Sequence, residues 1–261
     1  MLKLSRRTFM LGALAPAFPS LSWAQNDEIR VICSGGFTAA YNILAPRFEQ
    51  ITGKKVASAY GASMGNAPDA IPQRLARGEP TDIIILARPA LDDFSARSVV
   101  RPDSRFDLAE SRIGVAVRAG APKPDISTVD ALRRTLLGAS SIAYSASASG
   151  VYISTELYKR LGIEAEVMPK SRRILSERAA AVVARGEAEI GFQQISEIIG
   201  IPGAELVGPL PAEVQQVTVF SAGVLTIASQ PEAAAELIRF LASPDAAETV
   251  ASTGLDPLAH R

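Results

Sequence analysis

From residue 29 onward the chain alternates short, continuous apolar runs with longer amphipathic stretches. Ile29 to Cys33 has the length and β-branched content of a buried strand, and Ser34-Gly35-Gly36 breaks it as a turn. Thr38 to Thr52 repeats its apolar residues at helical spacing, with Ala40, Ile43, Leu44, Phe48 and Ile51 on one predicted face and Gly53 as the stop. Lys55 to Tyr60 predicts a second strand, Gly61-Ala62-Ser63-Met64-Gly65 a second turn, and Ala70 to Arg77 a helix ended by Gly78. Asp82 to Ala87 predicts a third strand, whose apolar run from Ile83 to Leu86 suits a strand covered on both faces. This alternation predicts an α/β layer structure with a largely parallel sheet.

The second half repeats the alternation. Arg112 to Arg118 predicts a strand that leaves the first unit, followed by the loop from Gly120 to Pro124. Beyond it lie a helix from Thr128 to Leu137, a strand from Ser141 to Ser145, helices from Val151 to Leu161 and from Ser176 to Arg185, and a strand from Glu189 to Phe192. Gln215 to Ala228 predicts an extended return, and Pro231 to Leu241 a last helix with Ala234, Ile238 and Leu241 on one side. The chain therefore passes twice between two units: residues 25–115 with 220–261 form lobe I, and 116–219 form lobe II. A cleft separates them.

The N-terminus changes the reading of compartment. Lys3, Arg6 and Arg7 precede an uncharged stretch from Thr8 to Ala24, the pattern of an export signal. The adjacent arginines in Ser5-Arg6-Arg7-Thr8-Phe9-Met10 mark the twin-arginine type, and Ser22-Trp23-Ala24 offers small residues for cleavage after Ala24. Residues 1–24 are thus expected to be a signal peptide, and the mature protein periplasmic. The whole chain balances 27 Lys+Arg against 27 Asp+Glu, so loss of those three cations leaves a slightly acidic remainder. Nucleic acid is not an expected partner, because phosphate neutralisation needs a clustered basic surface. No later apolar run reaches the ~20 residues of a membrane span. Cys33 is the one cysteine, so no intramolecular disulfide can form. His260 is the one histidine and stands beside the C-terminus, where it is read as exposed.

Three turns follow predicted strands and precede helices: Ser34-Gly35-Gly36, Gly61-Ala62-Ser63 and Ser147-Ala148-Ser149-Gly150. Such turns either cap helices or aim unpaired backbone N–H groups and a positive helix end at an anion. Gln193 and Gln194, at the end of a strand facing the same cleft, add amides that both donate and accept. Tyr152 and Phe37 are candidates for the pocket wall or for the core, and Lys170, Arg172 and Arg173 for a carboxylate fork or a solvated face. Metal-ligand spacing, a nucleophile elbow and a phosphate loop are all missing, so no metal or cofactor is expected. Cys33, Tyr152 and Glu197 are the candidates for catalysis.

Several segments resemble the molybdate-binding proteins of ABC importers: Ile29 to Cys33 with Ser-Gly-Gly-Phe-Thr, Phe48 to Gly53, Tyr60 to Ser63, Gly78 to Ile83, Val182 to Gly191, and Ala234 to Pro244. The resemblance spans nearly the whole chain after residue 24. It implies a type 2 periplasmic-binding architecture, with two α/β lobes, a two-stranded hinge and a ligand in the cleft. It also implies specific ligands, and two of them are changed. Gly36 stands where that family has a serine, and Gln194 where it has a tyrosine, while Ser63 is retained and Ser34 lies two residues before Gly36. The resemblance therefore leads to capture of a small anion, a di- or tricarboxylate in place of molybdate, by a monomer that serves an ABC permease. The same group includes aconitate isomerase, a cofactor-independent enzyme that moves a proton between trans and cis isomers of a tricarboxylate. That is the alternative expectation.

Overall fold

The computed structural model describes residues 28–258. The expected signal peptide, residues 1–24 with Trp23, and His260 lie outside the described residues. Strand β1 (Glu28–Ser34) pairs in parallel with β2 (Lys55–Gly61) on one side and β3 (Ile83–Ala87) on the other. The apolar residues of β1 and β3 alternate between two packed faces, which is why their runs are unbroken. Ile29, Val31, Cys33, Ile83 and Ile85 pack with Phe37, Tyr41, Leu44 and Phe48 of the helix Gly35–Thr52. Ile32, Ile84 and Leu86 face the other way, onto Leu91 and Phe94 of the helix Arg88–Ala96.

Strand β4 (Phe106–Arg118) belongs to both halves of the molecule. Residues 106–112 pair antiparallel with β9 (Val217–Val224), which in turn pairs antiparallel with β3. Residues 113–118 pair instead with β7 (Ile190–Gln194) and β8 (Ala204–Pro209). Beyond β7 come β5 (Ile142–Ser145) and β6 (Ser171–Ile174), both parallel, giving the order β2-β1-β3-β9-β4-β7-β5-β6. A short β10 (Asp256–Pro257) adds to β4. The second half has its own core, in which Ile113, Val115, Tyr144 and Phe192 meet Leu132 and Leu136 of the helix Val129–Gly138. The result is an α/β fold in which one curled sheet passes through two cores.

The sheet is mixed where a largely parallel one was expected. Each βαβ unit is parallel, but the strands that cross between cores, β4 and β9, run antiparallel to their neighbours. The first helix starts at Gly35, three residues before the expected start, and its buried arc is Phe37, Ala40, Tyr41, Leu44, Ala45 and Phe48. Ile43 falls outside that arc and is 53% exposed; Ile51, in the last turn beyond Phe48, is 65% exposed. The helix Arg88–Ala96, strands β6 and β8, and the helix Pro244–Ser252 had no counterpart in the sequence reading. The stretch read as a helix from Val151 begins at Ala148 and carries a wider turn at Ile153–Leu157.

Candidate functional site

A cleft of about 360 Å³ opens where the C-terminal ends of β1, β2, β5 and β7 converge. That is within the size range of small-ligand sites, about 300–1,000 Å³. Its lining includes Gly35, Thr38, Asn42, Tyr60, Gly61, Asp69, Ser147, Arg178, Gln193 and Glu197.

Glu197 is its central side chain. It sits on the short helix Ile195–Ile198 directly after β7, and two ties fix that helix. The Ser196 hydroxyl donates to the Gly36 carbonyl at 2.7 Å. Gln194 locks the strand end, since its Oε1 accepts from Ser111 Oγ at 2.8 Å and its Nε2 donates to Thr218 Oγ1 at 3.0 Å. The Glu197 carboxyl then reaches over Gly35, where a Cβ would overlap its Oε1. Glycine at 35 is thus what allows the carboxyl to lie at the start of the first helix. Burial holds the Glu197 carboxyl above the ordinary carboxylate range; Arg178, the Gln193 side chain and the Gln194 backbone offset this in part.

Around it the donors are few and well placed. The 18-residue helix Gly35–Thr52 points its first-turn N–H groups at the cleft, and Ser34 does not cap them with its side chain. Arg178 is the one cation among the lining residues; among the described residues its guanidinium makes no hydrogen bond or close ion pair and acts on the Glu197 carboxyl through its charge. Gln193 accepts from the Ala180 N–H at 3.2 Å, which orients its amide toward Glu197. Tyr60 donates to Asn42 Oδ1 at 2.7 Å at the rim. Asp69 folds back on the end of β2, where its carbonyl oxygen occupies the space that a side chain at Gly61 would need.

The residues expected to bind ligand are only partly assembled here. Gly35, Ser147 and Gln193 line the cleft with Glu197. Ser63 is fully buried behind it, donating to Ser34 Oγ at 2.7 Å and accepting from the Ala87 N–H at 2.9 Å, so it orients Ser34. Ser149 is buried against Ser145 at 3.2 Å, and Gly150 allows the helix start to press on the Ser145 carbonyl. Gly36 faces inward, because a Cβ there would run into the Phe220 ring. Gln194 spends both amide atoms inside the chain, as above.

Of the three catalytic candidates, the structure brings only Glu197 to the cleft. Cys33 is fully buried, and burial pushes its thiol far up, which disfavours a thiolate. Tyr152 donates to the Val214 carbonyl at 2.6 Å and lies in a separate cavity lined by Met64, Arg88 and Val217. Phe37 is in the core. The basic triplet is structural: Lys170 ties to the Leu137 and Ala139 carbonyls, Arg172 pairs with Glu187 at 3.3 Å, and Arg173 donates to the Ala146 carbonyl. Sequence reading missed Arg178 and Asp69. The signal for Arg178 was the alanine run after it, since the helix starts at Ala179 and leaves Arg178 at its N-cap. Among the described residues no His, Cys, Asp or Glu group could hold a metal ion, and no helix is long and apolar enough to cross a membrane.

A family model described as bacterial extracellular solute-binding protein matches residues 29–256. The chain is 46% identical over 252 residues to an aconitate isomerase of Pseudomonas sp, with 96% of each chain covered. It is 26% identical over 265 residues to the molybdate-binding protein ModA of Azotobacter vinelandii, covering 96% of this chain and 97% of that one. The solved periplasmic molybdate-binding protein of Azotobacter vinelandii superposes with a TM-score of 0.72 at 20% identity, covering 89% of this chain and all of that one. The sulfate-binding protein SubI of Mycobacterium tuberculosis superposes at 0.66 and 21% identity, covering 88% and 87%. At these identities the structural matches establish the fold.

Proposed function

The chain belongs to the family of bacterial extracellular solute-binding proteins, and on that premise we propose that it is an aconitate isomerase, interconverting trans- and cis-aconitate without a cofactor. The observation that carries this reading is Glu197. A buried carboxyl held above its ordinary pKa is a poor ligand for a bare oxyanion and a suitable proton carrier. It stands beside an arginine whose guanidinium makes no hydrogen bond or close ion pair among the described residues, and beside a helix N-terminus, the two features that grip carboxylates. The 46% identity to an aconitate isomerase, over nearly the whole of both chains, supports the same substrate.

The chemistry asked of these residues is an allylic proton shift. A proton leaves the methylene carbon of trans-aconitate, its C–H electron pair becomes the new double bond, and the old double-bond pair takes a proton at its far carbon. Charge builds on the flanking carboxylate during the shift. Arg178 and the first-turn N–H groups of the helix Gly35–Thr52 are placed to stabilise it. Glu197 carries a proton at one of the two carbons.

The division into lobes belongs to the same reading, with residues 25–115 and 220–261 against 116–219, closing about β4 and β9. Two features support it: β4 changes partners between Arg112 and Ile113, and the Gln215 side chain bonds both the N–H and the carbonyl of Ile113, at 2.9 and 3.0 Å. Export by the twin-arginine route, followed by action in the periplasm, completes the proposal. Proton NMR tests it: trans-aconitate incubated with the protein gives a cis and trans mixture that grows in proportion to enzyme. Folded protein that leaves trans-aconitate unchanged across the neutral pH range overturns the isomerase and leaves solute capture for an ABC permease.

A further inference from the structure

The Asp69 Oδ1 atom is buried yet has no hydrogen-bond partner, the one such side-chain atom among the described residues. Buried carboxylate oxygens are almost always satisfied, and leaving one bare is costly, so this exception calls for a reason. Asp69 lines the same cleft as Glu197. Its backbone is anchored: the Arg74 Nε donates to its carbonyl at 3.0 Å, the Ile71 N–H ties the turn to the Ala62 carbonyl at 2.9 Å, and Gly61 leaves room for it. The segment is therefore held while one carboxylate oxygen keeps its lone pairs uncommitted.

We propose that Asp69 is the catalytic base that takes the methylene proton of trans-aconitate, with Glu197 as the acid that protonates the other carbon. The inference rests on the isomerase reading. The two environments divide the roles. Glu197 is enclosed, and that burial favours its keeping a proton against the opposing pull of Arg178 and the Gln193 side chain, whereas Asp69 Oδ1 has lone pairs with nothing to accept. Two carboxyls in unlike surroundings are a general way of setting an acid against a base in one site. In the step, Asp69 carboxylate gains the methylene proton, the C–H pair forms the new double bond, the old pair takes the proton of the Glu197 carboxyl, and solvent restores both groups. The cis-to-trans direction reverses the roles.

Hydrogen exchange separates the two halves of the reaction. In deuterated water, wild-type protein should wash deuterium into the methylene of trans-aconitate and isomerise it. Glu197→Gln should keep the exchange while isomerisation falls at least about 100-fold, the low end for loss of an acid or base. Asp69→Asn, and Asp69→Ala as a second variant, should lose exchange and isomerisation together. Both should still bind tricarballylate, the saturated analogue, within a few-fold of wild type. An active wild type with an Asp69→Asn variant that exchanges at the normal rate overturns the base assignment alone. Loss of tricarballylate binding by both Asp69 variants also overturns it, since Asp69 would then serve binding. A wild type that neither exchanges nor isomerises overturns the isomerase reading and this inference with it.

Discussion

Single residues set the chemistry of the cleft, and Glu197 is the clearest case. Because burial raises its pKa from the ordinary 4.5, the folded protein holds that proton more tightly than the unfolded chain. The stabilisation is complete below the unfolded-state pKa and is lost as pH rises through the folded-state value. Glu197→Gln, which cannot ionise, should therefore have a higher Tm than wild type at neutral pH, and the gain should vanish below about pH 4. Thermal melts across that range check the sign, and an equal gain at every pH would contradict it. Gly35 offers an independent test. A methyl group at 35 would displace the Glu197 carboxyl, the end of a flexible side chain, so Gly35→Ala should fold normally. Its isomerisation should fall about as far as that of Glu197→Gln, on the order of 100-fold, in the NMR assay.

Elements are held in place by a few buried polar groups, and Asp82 is the clearest of them. Its Oδ2 accepts from the Arg30 N–H at 2.8 Å, and its Oδ1 accepts from the Ser229 N–H at 2.6 Å and the Ser229 hydroxyl at 2.9 Å. It thereby ties β1 and β3 to the segment leading into the helix Pro231–Leu241. Asp82→Ala would take the acceptor from the Arg30 and Ser229 N–H groups and should cost about 1–3 kcal/mol, read from the midpoint and slope of urea unfolding. Gln194 does the same between β4, β7 and β9. Gln194→Ala should destabilise by about 1–3 kcal/mol, for loss of its bonds to Ser111 and Thr218. The variant should also lower activity, because the helix that carries Glu197 starts at the next residue.

At the scale of the whole molecule, the cleft takes residues from both cores, so a ligand held there would join them. Gly35 and Asp69 follow strands of the first core, whereas Ser147, Arg178 and Gln193 belong to the second. A ligand that bridges them stabilises the native state by mass action. Aconitate, citrate and tricarballylate should raise Tm with increasing concentration, and molybdate should do less. The reason is that Gly36 packs against Phe220 without a hydroxyl, and a carboxyl fills the space over Gly35. Stronger stabilisation by molybdate would contradict this account of the site. Trp23 is the only tryptophan, so a protein processed after Ala24 should show tyrosine emission alone, and intact mass should confirm the cut.

Periodicity and turn chemistry by themselves determined that this chain alternates strands and helices, that three Ser/Gly turns lie at strand ends, and that Glu197 follows one of those strands. These are local properties, set by the spacing of apolar side chains and by where glycine and serine interrupt them. The order and wording of the motifs also carried the fold family. The tertiary structure decided the rest. The sheet became mixed because β4 and β9 cross between cores, a pairing between segments about a hundred residues apart that no local window contains. Ser63 and Gln194 look like ligands in sequence because they are polar residues at strand ends; folding satisfies them internally, through partners distant in the chain. Conversely, Asp69 and Arg178 carry no motif. Asp69 enters the site because a turn folds back on Gly61, and Arg178 because its helix begins one residue later and leaves it at the N-cap, beside a cleft that only the packed chain creates.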